Sequence, residues 1–270
     1  MIGGSAAAAL RWLVVLAALA TEAASALPRV VSLAPHLTEN LFAIGAGAAL
    51  VGVSDHSDYP AAAAQIPRVG SATAVDLERL LTLQPAWLLI WSSGTPPLPE
   101  AQLAALGIQI FRSEPREPAA IADEIEQLGL IVGRPGAAAA VAAAFRQRLA
   151  QLQRAAATDH PRRLFYPIWD QPLFTIGGRH LISAAITQCG GRNIFAAVDA
   201  LAPQVSIEAV LTANPERIVA DRREVLAQWR QYPQISAVAN DGLRLLNPDL
   251  IQRPGVRFID GMSQLCAALR

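Results

Sequence analysis

Short apolar runs alternate with helical stretches along most of the chain. In the first half the runs are RVVSL at 29–33, ALVGV at 49–53, AWLLIW at 86–91 and IQIF at 108–111. In the second half RLFYPI at 163–168, LFTIG at 173–177, RIVA at 217–220 and LRLL at 243–246 play the same part. Runs of this length, rich in Val, Ile and Leu and bounded by turn residues, read as strands. Strands that alternate with helices predict α/β sheets with parallel strands. Between the halves lies GAAAAVAAAFRQRLAQLQRAAA, from Gly136 to about Ala157, with Pro135 before it and the turn Thr158 to Pro161 after it. Its residues are strong helix formers, and about 22 of them would span ~33 Å, which predicts a rigid spine rather than a loop.

The two halves also resemble each other. VDLERLLTLQPAWLLI, from Val75, and VSIEAVLTANPERIVA, from Val205, match without a gap at Val75/Val205, Glu78/Glu208, Leu81/Leu211, Thr82/Thr212 and Pro85/Pro215. Each begins with a capping residue, Asp76 or Ser206, and carries an acid two residues later in the first helical turn. Each helix stops before a proline and a strand follows. The expected organisation is therefore two Rossmann-like α/β lobes, 27–134 and 161–270, joined by a single backbone helix over 135–160. Ligands of such sheets bind beyond the carboxyl ends of the strands, so the cleft between the lobes is the expected site.

The N-terminus changes the compartment. Arg11, the apolar run from Trp12 to Ala20 and the small residues Ala24-Ser25-Ala26 have the layout of a secretory signal peptide, residues 1–26, cut after Ala26. The apolar run is shorter than the ~20 residues a spanning helix needs. The expected mature protein is soluble and exported, with about 244 residues, long enough for two lobes. In an oxidising compartment its two cysteines, Cys189 and Cys266, are expected to pair as a structural disulfide. A metal pair and a reactive thiol are the rival readings, and there is no CxxC spacing to support them.

Composition then removes several functions. The formal charge is zero and there is no basic block, so nucleic acid is not an expected partner. All basic residues other than histidine are arginine, which excludes a P-loop lysine and a Schiff-base lysine. The chain carries no G-x-S-x-G, H-E-x-x-H or G-x-G-x-x-G motif. An enzyme is not expected.

From Pro28 to Leu269 the chain resembles the periplasmic binding proteins of cobalamin and iron-complex importers, and within them the vitamin B12-binding family. The resemblance rests on SDYP at 57–60, DLERL at 76–80, CGGRNIF at 189–195, APQVSIEAVL at 202–211 and QLCAAL at 264–269. It implies two lobes bridged by a long helix, a corrinoid ligand between them, and delivery to an inner-membrane ABC permease dimer with its ATPase subunits. It implies a disulfide between Cys189 and Cys266, no cofactor beyond the transported ligand, and docking to permease arginines through Glu78 and Glu208. Each of those glutamates alone reads equally well as an ordinary helix-start acid.

The resemblance also suggests the ligand set. Trp91 matches an aromatic that covers the corrin ring, and His56 stands where the relatives have tyrosine. Asp249, Leu250, Ile251, Gln252 and Arg253 match a polar segment, keeping its acid and its arginine. Two further tryptophans of the relatives fall near Thr73 and at Ala202 and are absent here. Tyr166, Trp169 and Phe174, around the YPIWDQPLF turn, are the local aromatic candidates. His36 follows the first strand and is expected to face the cleft, with a plain turn residue as the even alternative. Imidazole at His56 would stack on a flat ring or coordinate a metal centre. His160 reads as solvated and His180 as structural. Two histidines fall short of a bare metal site, which needs three or four converging ligands. Haem or a ferric siderophore is the alternative cargo, and a secreted α/β hydrolase is the reading from another class. The hydrolase would need a nucleophile, base and orienter that the sequence does not name.

Overall fold

The computed structural model describes residues 27–270. The expected signal peptide, residues 1–26, lies outside the described residues. The apolar runs of the first half become β1 (Val30–Ser32), β2 (Leu50–Val53), β3 (Trp87–Trp91) and β4 (Gln109–Ser113). They form one parallel sheet in the order β2-β1-β3-β4. Helices on both faces bury such a sheet, which is why β1 reads VVS with every residue enclosed.

The second half contains β5 (Arg162–Phe165), β6 (Pro167–Asp170), β7 (Leu173–Thr175), β8 (Gly191–Asn193), β9 (Arg217–Ala220) and β10 (Leu243–Leu245). Its parallel sheet runs β10-β9-β5-β8, and β6 and β7 form a separate antiparallel pair. With that hairpin set aside, both sheets have the same order: second strand, first, third, fourth. The repeat seen around Glu78 and Glu208 therefore extends to whole lobes.

Two expected strands need correction. RLFYPI does not run through as one strand. Pro167 has no N–H to give the ladder, so β5 ends at Phe165 and the chain turns into the hairpin. LFTIG consequently pairs in that hairpin, not in the parallel sheet. The vacant edge place is taken by β8, GRN, beside β5. Three residues with an exposed arginine at their centre carry no apolar run to detect.

The helix Pro135–Ala156 starts on its proline and buries Ala138, Ala142, Phe145 and Leu149, one stripe at helical spacing. It packs closely on the helix Pro118–Ile131, because Gly129 has no Cβ to overlap Ala138. One buried cluster runs from Leu37 and Leu128 in the first lobe through Phe145 to Ile186 and Leu265 in the second. The spine thus shares its core with both lobes. Cys189 ends the helix Leu181–Gln188 and is disulfide-bonded to Cys266 in the helix Phe258–Leu269, with Cα atoms 4.7 Å apart. Gly190 follows at φ +76 under the Ala156 carbonyl, where a side chain would be strained and would clash. No helix among the described residues is long and apolar enough to cross a membrane.

Candidate functional site: the cleft between the lobes

Two adjoining cavities lie between the lobes and share Trp91 and Gln252. The larger, about 390 Å³, takes Trp91, Glu114 and Arg116 from the first lobe and Tyr166, Ile168, Arg179, His180, Ile251 and Gln252 from the second. The smaller, about 270 Å³, takes His36 and His56 from the first lobe and Asp249 and Arg253 from the second.

Trp91 is the last residue of β3, at the carboxyl edge of the first sheet, and is half-buried. The His36 ring meets it edge-on at 5.4 Å and 84°. His36 is itself buried, in the first turn of the helix Pro35–Ala43. Burial first, and the Arg253 charge second, pull its pKa down to about 3, so the ring is neutral. Its Nε2 lies 3.0 Å from Ser113 Oγ, and that hydroxyl donates to Glu124 Oε2 at 2.7 Å. With the hydroxyl proton so used, Nε2 carries the hydrogen and donates to Ser113. Glu124 also accepts the Glu114 N–H at 3.1 Å, and the Glu114 carboxylate accepts the Ser93 N–H at 2.9 Å. Burial pushes the Glu124 pKa up to about 7. This chain of bonds fixes the wall that carries Trp91. His36 therefore braces the aromatic wall, with its Nε2 already occupied.

The second lobe crosses to the first through residues 247–257. Asn247 caps the short helix Pro248–Ile251 by accepting the Asp249 N–H. Gln252 then donates to the buried Asp221. Arg253 donates to Glu39 at 2.9 Å and Asp58 at 2.7 Å in the first lobe, and pairs with Asp249 at 2.9 Å. Arg257 takes the same Glu39 carboxylate with two bonds, 2.8 and 2.7 Å, and its guanidinium lies 3.7 Å over the Tyr59 ring. The Val256 N–H reaches Asn40 Oδ1 at 2.8 Å. Gly255 lets this strap lie flat on the helix Pro35–Ala43, since an added Cβ would sit 3.0 Å from the His36 carbonyl oxygen. Hydrogen bonding to Glu39 holds the Arg257 guanidinium above its ordinary pKa.

Of the residues expected in the site, Trp91, Tyr166, Ile251 and Gln252 line the larger cavity, and His36, His56, Asp249 and Arg253 the smaller. His56 is exposed at φ +62. Tyr166 is fully buried, and its hydroxyl has no hydrogen-bond partner among the described residues. Burial, then the nearby Asp221 charge, pushes its pKa well above the usual phenol range.

Three placements differ from expectation. Trp169 is half-exposed, gives its Nε1–H to the Gln171 carbonyl and lies under the Arg222 guanidinium at 4.6 Å. Phe174 faces Trp169 across the β6–β7 hairpin and likewise lies outside both cavities. A register shift between Pro167 and Trp169 leaves Ile168 as the extra residue, and Ile168 is the one on the cavity wall. Leu250 lines neither cavity; its backbone packs on Gly261 of the C-terminal helix, where a Cβ would sit 2.8 Å from the Leu250 carbonyl carbon.

Sequence reasoning missed Glu114, Arg116, Arg179 and His180. His180 caps the helix Leu181–Gln188 by accepting the Ile182 N–H on Nδ1, as a structural residue would, yet it also lines the larger cavity. Burial lowers its pKa to about 4. The signal for it was Gly-Gly-Arg-His just before an apolar helix, a helix start at the carboxyl side of a hairpin. Glu78 and Glu208 are exposed in the first turns of the helices Leu77–Thr82 and Ile207–Ala213. Asp76 and Ser206 cap those helices, accepting N–H groups at 2.9 and 3.2 Å. No three His, Cys, Asp or Glu side chains among the described residues converge as a metal site.

Residues 30–250 match the periplasmic binding protein family. The chain belongs to that family. A curated relative, the vitamin B12-binding protein of Vibrio cholerae, is 38% identical over 245 residues, 90% of this chain and 89% of that protein. The crystal structure of the periplasmic vitamin B12-binding protein of Vibrio cholerae superposes with a TM-score of 0.83, covering 90% of this chain and 96% of that one, at 38% identity. A periplasmic haem-binding protein of Pseudomonas aeruginosa has a TM-score of 0.76 at 28% identity, covering 90% and 93%. As a periplasmic binding protein, this chain builds its cleft on a two-lobed α/β scaffold.

Proposed function

We propose that this chain is the periplasmic substrate-binding component of an ABC importer and carries a corrinoid in the cleft between its lobes. The observation that carries this reading is the cleft wall, with Trp91 on one side and Tyr166, Ile168 and Ile251 on the other. An aromatic face opposite apolar side chains suits a large flat ring, whose burial is driven by desolvation and dispersion. A polar group on the same wall, Gln252, suits a ring fringed with amides. The 38% identity to the Vibrio cholerae protein supports the same cargo. Haem or a ferric siderophore is the second reading, supported by the 28% identical haem-binding protein of Pseudomonas aeruginosa.

In this reading the lobes are residues 27–134 and 161–270, with 135–160 as the connecting segment. The protein acts by binding and not by catalysis, as an exported monomer without a resident cofactor. Glu78 and Glu208, one exposed acid on each lobe, dock on arginines of the inner-membrane permease dimer that works with its ATPase subunits. His56 and Trp91 touch the cargo, and Asp249 and Arg253 border it.

The test is titration of the purified protein with cyanocobalamin and with haemin, followed by absorbance and calorimetry. Cyanocobalamin is expected to bind and haemin to bind far more weakly. Trp91→Ala should weaken cyanocobalamin binding about tenfold or more, from the lost stacking and buried area. Unchanged affinity in that variant would place the cargo elsewhere.

A further inference from the structure

The larger cavity carries a charge pattern that a ring-binding cleft does not require. Two arginines line it from opposite lobes: Arg116 after β4, and Arg179 before the eight-residue helix Leu181–Gln188. Arg116 has no salt-bridge partner among the described residues, since none of the ion pairs includes it. Arg179 has only Asp199, 3.5 Å from its Nε, and that side chain is 79% exposed. An ion pair so open to water holds its arginine weakly. The one carboxylate on the same wall, Glu114, is already engaged by the Ser93 N–H. His180 is neutral and its Nδ1 accepts the Ile182 N–H at the helix start, while Leu181 and Ile182 bring the positive end of that helix to the cavity. The two guanidinium groups thus stand on the same cavity from opposite lobes with no buried carboxylate to neutralise either.

We propose that Arg116 and Arg179 form an anion subsite that closes on one negatively charged group of the cargo from both lobes at once. This rests on the reading of the chain as a binder of a ring-shaped cargo. The chemistry recognised is an oxyanion held by two guanidinium groups, which offer several N–H donors in fixed planes. Two cargo sources carry such a group: the phosphodiester of a nucleotide-bearing corrinoid, and the carboxylates of a porphyrin. A corrinoid without its nucleotide loop has no such group. The subsite therefore discriminates between complete and incomplete corrinoids, independently of the ring wall at Trp91.

The experiment compares wild type with Arg116→Gln/Arg179→Gln, and with Arg116→Lys/Arg179→Lys, against cyanocobalamin, cobinamide and haemin, at two salt concentrations. Both positions are exposed, and circular dichroism with thermal melting checks that each variant is folded. The glutamine pair should raise the Kd for cyanocobalamin about tenfold or more, the scale of a lost charge-assisted contact, and leave that for cobinamide within about twofold. The lysine pair should restore much of the loss, and added salt should weaken the wild-type cyanocobalamin complex more than the glutamine variant's. Equal weakening for cyanocobalamin and cobinamide, or none for either, overturns the subsite while leaving the corrinoid reading intact. If wild type binds haemin and neither corrinoid, the corrinoid reading falls. A tenfold loss of haemin in the glutamine pair then sustains the subsite, and unchanged haemin binding overturns it. A wild type that binds none of the three overturns both.

Discussion

Replacing Glu39 with alanine isolates the strap that ties the lobes together. The Glu39 side chain is 1% exposed and receives three charge-assisted hydrogen bonds, one from Arg253 and two from Arg257, at 2.7–2.9 Å. Its partners are nearly as enclosed, at 13% and 19%. Removing one member of a buried ion pair costs about 3–5 kcal/mol, because the remaining charge stays in a poor solvent. Arg253 keeps Asp58 and Asp249, so the loss here belongs near the lower end, about 3 kcal/mol. For a chain of this size that lowers Tm by on the order of 10 °C. The control is Asp260→Ala, which breaks the Arg148–Asp260 pair, whose two side chains are 48% and 45% exposed. Such a pair contributes ~0–1 kcal/mol, so its variant should melt within about 4 °C of wild type. Calorimetric melting of the three proteins side by side gives the answer. A Glu39→Ala protein that melts no lower than the Asp260→Ala control would show that the strap's ion pairs only break even against their desolvation.

Three further outcomes are expected. The Glu124 carboxyl ionises near 4.5 when unfolded and at about 7 when folded, so its contribution to stability is complete below 4.5 and disappears as pH rises through 7. Glu124→Gln, which cannot ionise, should thus gain stability relative to wild type between those values, by up to about 3 kcal/mol in urea titrations; a pH-independent difference would mean that the carboxyl titrates normally. Cys189→Ser with Cys266→Ser opens a loop with a sequence separation of 77 and should lower unfolding free energy by about 4–5 kcal/mol in the chain-entropy model, with unreduced mass spectrometry of wild type showing no alkylatable thiol. Glu78→Ala with Glu208→Ala should leave cargo affinity and Tm near wild type yet cut uptake in vesicles holding the permease, and normal uptake would return both to the role of helix-start acids.

The two-lobed repeat was legible because its marks are local: Asp76 and Ser206 as caps, Pro85 and Pro215 as stops, apolar strands behind them. The spine was legible for the same reason, as an unbroken run of helix formers. β8 was not, since an edge strand of three residues needs no apolar pattern. Nor could the sequence say which side of the hairpin would face the cleft, and Ile168 holds the place expected for Trp169 and Phe174. Arg253 was recognisable as a candidate for the cleft through the resemblance, and it lines the smaller cavity. Its bond to Glu39, 214 positions away, belongs only to the folded chain. Arg116 and Arg179 look like ordinary surface arginines until the lobes are set face to face.

The strap has one more consequence. Asp249, Ile251, Gln252, Arg253 and Pro254 border the cavities, while Arg253, Val256 and Arg257 grip the first lobe. One run of about ten residues thus both borders the cavities and ties the lobes, so in the proposed function cargo binding and strap seating are thermodynamically linked. Whatever free energy the seated strap adds to cargo affinity, bound cargo returns to the strap. In the proposed function, a partner that unseats this segment would weaken both in a single step.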